Sequence, residues 1–137
     1  MIPLPPDLLE LAAALRREQI EVRFESPPKR GAYGLYSSAK RRIWVSPLTS
    51  ELGILRQTFL HEAVHAVQGC RVGRVQPLGV KTELTPVVER RIRYLLHSSY
   101  APRDAAIERE AFEIASRPDA VPLLMRLLRQ RCKAVSP

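Results

Sequence analysis

His61-Glu62-Ala63-Val64-His65 is the stretch on which the reading of this chain turns. Two histidines four apart fall one turn from each other on one helical face, so both rings can reach a single metal ion. Glu62 sits a step further round, where its carboxylate can take a proton from a metal-bound water. The flanking Thr58-Phe59-Leu60 and Ala66-Val67 are uncharged, as a buried helix beside a shaped, low-dielectric cavity requires. Three polar groups on an otherwise apolar helix each need a partner or a metal. This HExxH pattern predicts a zinc-dependent peptidase site.

The rest of the chain bounds that expectation. At 137 residues it is long enough for one domain, 1–137, with a real core and no room for a second. Its composition, 45% hydrophobic and 26% charged, is that of an ordinary globular protein. Asp7 and Glu10 interrupt the first apolar stretch and Arg16-Arg17 close it, which argues against a signal peptide. No apolar run approaches a membrane span, so a cytoplasmic location is the expectation. The formal charge of +8 favours acidic partners. Yet the basic residues are scattered (Lys29-Arg30, Lys40-Arg41-Arg42, Arg90-Arg91, Arg129 and Arg131) without aromatic interleaving. That pattern points to a solvated basic face over nucleic-acid binding. Cys70 and Cys132 lack metal-ligand spacing; reduced, half-buried thiols are expected, with a contact or disulfide between them left open by their positions just past one helix and late in the last.

Outward from the box, Met1 to Pro6 is proline-rich and reads as unable to start a helix. Asp7 and Glu10 open a short helix to about Arg17, with Leu8, Leu11 and Leu15 on one face. Ile20, Val22 and Phe24 alternate with charged residues as a half-buried strand does. Gly31 to Tyr36 and Arg42 to Val45 read as a hairpin around Ser37-Ser38-Ala39-Lys40, with the basic end guarding the sheet and Pro47 ending it. Thr49 or Ser50 caps the central helix, which carries Leu52, Leu55, Phe59, Ala63, Ala66 and Val67 inward and stops at Gly69. Cys70 to Leu84 is a loop over the site. Pro86 opens a basic helix to about His97, and Ala101-Pro102 opens another ending before Pro118. Pro122 begins the last, with Leu123, Leu124, Leu127 and Leu128 inward and Arg126, Arg129 and Arg131 in water. The order predicts an α+β domain, a short three-stranded sheet packed on the HExxH helix with further helices after it.

A catalytic zinc needs a third protein ligand and an open position. The extended box that places a third histidine six residues after the second is excluded, because Arg71 stands there and Gln68 replaces its glycine. Glu108 is the first choice. It shares a face with Ala105, Ala111, Phe112 and Ala115, and an acid in an apolar stripe needs a cation. Glu110, at the stripe's edge, is second; His97 is the alternative nitrogen ligand; Glu113 points to solvent with Arg109 and Ser116. The bland alternative pairs Glu108 with Arg109 or Arg131. Tyr100, Tyr94 and His97 are candidates for a second oxyanion donor.

The box, followed by Glu108-Arg109-Glu110-Ala111-Phe112-Glu113-Ile114-Ala115, resembles the gluzincin metallopeptidases, especially their small ImmA/IrrE-type minimal domains. The likeness covers about a third of the chain; the first motif is specific and the second weak. It implies a zincin-like fold, Zn2+ held by His61, His65 and Glu108, Glu62 as general base, and metalloendopeptidase activity on a peptide or protein. It also implies an edge strand, here Ile43 to Val45, that aligns an extended peptide. One departure stands out: Phe112 occupies the position of the Asn or Asp that helps orient a ligand histidine, so another residue must supply that bond. A metal-bearing regulatory domain without activity is the alternative. A nucleic-acid-binding module with a structural metal ranks last, since no cysteine completes a closed site.

Overall fold

The computed structural model describes residues 3–70 and 74–132; residues 71–73 of the expected loop and the first two residues of the proline-rich start lie outside them. The chain is α+β, with six α-helices and one three-stranded mixed sheet among the described residues. None of these helices is long and apolar enough to cross a membrane.

Helix α1 spans Pro6–Arg17 and starts one residue before the expected Asp7. Proline is well suited to a first helical position, where its missing N–H costs no hydrogen bond. The amides of Leu8 and Leu9 turn back to the Pro5 carbonyl (3.1 and 3.0 Å). Asp7 makes no side-chain cap and instead pairs with Arg56, Oδ2 to Nη2 at 2.7 Å. Leu8, Leu11 and Leu15 are fully buried, as their spacing required.

Strands β1 (Glu21–Arg23), β2 (Gly34–Ser37) and β3 (Arg42–Val45) lie in the order β1-β3-β2. The β2–β3 hairpin is antiparallel, and β1 joins β3 in parallel, Val22 opposite Ile43. The assignment of Ile43 to Val45 as an edge strand is therefore corrected: β3 is central and β2 forms an edge. The physical reason is burial. Ile43, Trp44 and Val45 are all buried, whereas every residue of β2 is half-buried. A strand apolar on both faces belongs inside a sheet.

The expected single central helix is broken in two. Helix α2 (Leu48–Glu51) ends at Leu52, and α3 (Leu55–Gln68) begins after Gly53. Gly53 has φ +72°, and the Gly53 and Ile54 amides close on the carbonyls of Ser50 and Thr49 (3.3 and 2.9 Å). Such a left-handed glycine terminates a helix. Leu52 is consequently exposed, and Thr49 donates its hydroxyl to the Ser46 carbonyl (2.7 Å) without capping α3. From Phe59 to Gln68 every residue of α3 is buried, against the sheet, α5 and α6.

Helix α4 covers Pro86–Ser99, a 3-10 turn covers Pro102–Asp104, and α5 (Ala105–Ala115) and α6 (Ala120–Arg131) follow. Pro122 falls in the first turn of α6, and all four leucines expected inward are buried. Cys70 and Cys132 form a disulfide, which corrects the expectation of reduced thiols. Each follows the last turn of its helix, α3 or α6, and packing α6 on α3 brings those ends together.

Candidate metal centre

The i, i+4 spacing on α3 sets the two histidine rings side by side, with centroids 4.8 Å apart and Nε2 atoms 3.2 Å apart. Glu108, in the first turn of α5, brings Oε1 to 2.8 Å from His61 Nε2 and 3.0 Å from His65 Nε2. Three donors from two helices thus converge on one point, and His61, His65 and Glu108 stand close enough to share one metal ion. Their separations compare with about 3.3 Å along the edge of a tetrahedron with zinc–ligand bonds of 2.0–2.1 Å. Both histidines are buried. Two ring nitrogens and a carboxylate oxygen crowd one buried point; with hydrogen on Nε2 the rings donate to Glu108, and with Nε2 bare the same three atoms form a donor set that fits a cation. Burial pushes the Glu108 carboxyl up, but hydrogen bonds from His61 and His65 and their charges outweigh it and hold the pKa down to about 2. Burial opposes a charged His65, yet the hydrogen bond to Glu108, the Glu62 and Glu108 charges and Gln68 raise its pKa.

Glu62 is buried beside these groups, and burial raises its pKa; the nearby histidines lower it and Glu108 adds to the rise. Its side chain faces β2. A Cβ on Gly34 would lie 3.0 Å from Glu62 Cγ and Oε2 and 2.7 Å from Thr58 Cγ2. Glycine there lets the edge strand lie directly against the HExxH helix.

The other carboxylates of α5 divide the work differently from the sequence expectation. Glu110, the second-choice ligand, is buried away from the cluster of His61, His65 and Glu108. It accepts from Gln68 Nε2 (2.9 Å) and from the amides of Leu78, Gly79 and Val80 (2.7, 2.9 and 3.1 Å). Glu113 does not reach into solvent; it is half-buried and pairs with Arg109 (3.2 Å). Arg109 also pairs with Glu89, not with Glu108. Of the oxyanion candidates, Tyr100 lines the cleft, whereas Tyr94 and His97 are exposed and do not. The Tyr100 phenol is pushed up to about 12 by burial and by the Glu108 and Glu62 charges.

The second ring nitrogens differ. His65 Nδ1 is 2.7 Å from Gln68 Oε1, while His61 Nδ1 is buried without a partner among the described residues. Phe112 lies against the His61 ring (centroids 4.3 Å) and Tyr100 lies edge-on to Phe112. Sequence reasoning used Gln68 only to exclude the extended box; its place three residues after His65, on the same face, was the available signal.

The site opens on a cleft of about 1240 Å³ between β2, α3, α4 and α5. Its wall includes Gly34, Leu35 and Tyr36 of the edge strand, and Val75 of the loop after α3. No protein-family model matches the chain, and neither a curated protein nor a solved structure is significantly similar to it.

Proposed function

We propose that this chain is a zinc metalloendopeptidase of the gluzincin type, with a zincin-like arrangement of sheet and metal helices. The observation that carries the reading is the convergence of His61, His65 and Glu108 beside the buried carboxylate of Glu62. Zinc held by those three residues would supply Lewis acidity and bring the pKa of water towards neutrality. Glu62 then takes the proton of the attacking water and returns it to the leaving amine; its raised pKa suits both steps. Tyr100, kept protonated in the same cleft, donates to the developing oxyanion.

Strand β2, not β3, is the edge that would align an extended peptide, and its residues line the cleft. Lys29, Arg30 and Arg91 also line it and make no ion pair with described residues. Acidic side chains in the substrate would complement them. The expected cytoplasmic location carried the expectation of reduced thiols with it; the Cys70–Cys132 bond fits an oxidising compartment, where disulfides persist.

A second reading, a metal-binding regulatory domain without activity, is favoured by the unpartnered Nδ1 of His61. One experiment separates the two. Zinc-loaded protein is incubated with unfolded substrates of acidic and basic composition, with and without chelator, alongside Glu62→Gln. Chelator-sensitive cleavage, fastest on acidic chains and reduced about 10²–10⁴-fold in Glu62→Gln at unchanged zinc content, is the expected result. Cleavage that survives the substitution would exclude this mechanism.

A further inference from the structure

We infer that Gln68 and Glu110 form a positioning relay linking the backbone at Leu78–Val80 to the metal-binding nitrogen of His65. The inference rests on the metal-centre reading above, but not on peptidase activity.

Gln68 is 2% exposed, so each polar atom of its carboxamide must be satisfied inside the protein. Nε2 faces two groups that can only accept at these atoms, the Ile107 carbonyl (3.1 Å) and a Glu110 carboxylate oxygen (2.9 Å). Both amide hydrogens are used there, which fixes Oε1 on the opposite side, 2.7 Å from His65 Nδ1. That oxygen can only accept, so Nδ1 must carry the hydrogen. A neutral imidazole protonated at Nδ1 has its lone pair on Nε2, the atom that meets Glu108 and His61. Gln68 therefore sets both the rotation and the tautomer of His65.

Glu110 determines which way Gln68 lies. Oε1 accepts from Gln68 and from the Leu78 amide, and Oε2 accepts from the Gly79 and Val80 amides. Gly79 has φ +83°, a left-handed turn in which successive N–H groups converge on one anion. One buried carboxylate thus holds three consecutive loop amides and the glutamine. If the loop departs, the Glu110 carboxylate is free to rotate, and Gln68 loses one of the two acceptors that fix its orientation, leaving only the Ile107 carbonyl. A flipped amide would present N–H to Nδ1 and favour the tautomer with hydrogen on Nε2, which cannot bind metal. Loop docking and metal binding are coupled, and by linkage each favours the other.

Three measurements test this, none using peptide cleavage. Zinc affinity is measured by competition with a chromophoric chelator for the intact chain and for Gln68→Met, which keeps length and apolar volume. The variant should bind zinc about 10–100-fold more weakly. Amide hydrogen exchange at Leu78, Gly79 and Val80 should slow on zinc loading in the parent chain, and that zinc dependence should vanish in Gln68→Met. Nitrogen-15 NMR of the zinc-free parent, which needs no variant to fold, should already show hydrogen on His65 Nδ1. Unchanged zinc affinity in a folded Gln68→Met, loop exchange indifferent to zinc, or a bare Nδ1 would each overturn the relay while leaving the metal centre standing. A parent chain that takes no zinc would overturn both.

Discussion

His65 and His61 sit one turn apart on α3 and offer the same atom to the same point, yet their surroundings hold them by different forces. His65 is held by direction: a glutamine whose orientation is imposed by two acceptors, and behind it a carboxylate on three loop amides. The covalent bond from Cys70 lies two residues beyond that glutamine. His61 is held by shape, with Phe112 over its ring and Tyr100 behind Phe112. Packing limits where a ring can lie but leaves its tautomer free, whereas a hydrogen bond fixes both. One helix thus presents a pre-set ligand and an adaptable one.

The largest expected effect breaks the pinned side. The Cys70–Cys132 bond closes a sequence separation of 62 residues, for which chain entropy alone predicts about 4 kcal/mol of stabilisation. Cys132→Ser should lower the unfolding free energy by a large part of that, read by denaturant titration. An unchanged midpoint would mean that packing of α6 on α3 suffices without the bond.

A smaller effect would make the two sides alike. Phe112→Asp places an acceptor where the resemblance expects one and should give His61 Nδ1 its missing partner. Zinc should then bind about tenfold more tightly, measured by chelator competition. Weaker binding would show that apolar cover from Phe112 matters more to His61 than a hydrogen bond.

The smallest effect lies away from both. Asp7 and Arg56 join α1 to the start of α3 at the surface, each more than two-fifths exposed. The hydrogen bond from Arg56 holds the Asp7 pKa below its ordinary value, helped by the arginine charge and opposed by slight burial. A lowered folded-state pKa means the pair stabilises the fold above the unfolded value near 3.9 and ceases to do so as pH falls through the folded value. Asp7→Asn should cost less than about 1 kcal/mol at pH 7 and progressively less as pH falls through the folded value, with zinc affinity untouched. A change in zinc affinity would extend the coupled network to the far end of α3.

The HExxH spacing was readable because four residues make one helical turn whatever surrounds it, and the acid-in-an-apolar-stripe argument found Glu108 for a similar reason. Other signals were present but outweighed. Gly53 interrupts the periodicity that suggested one long helix, and the unbroken Ile43-Trp44-Val45 run marks a central strand, not an edge. Glu110 and Glu108 differ by two positions and looked like competitors for one role. Their division depends on which neighbours α5 meets: Glu108 meets the histidines, and Glu110 meets Gln68 and the loop at Leu78.

Local repeat distances by themselves determined which residues share a helical face, and hence the two imidazoles, the adjacent Glu62 and the inward leucines of α1 and α6. The tertiary structure alone decided the strand order, the union of Cys70 with Cys132, and the tautomer imposed on His65. Each of those depends on groups far apart in the chain, and only packing establishes their distances and directions.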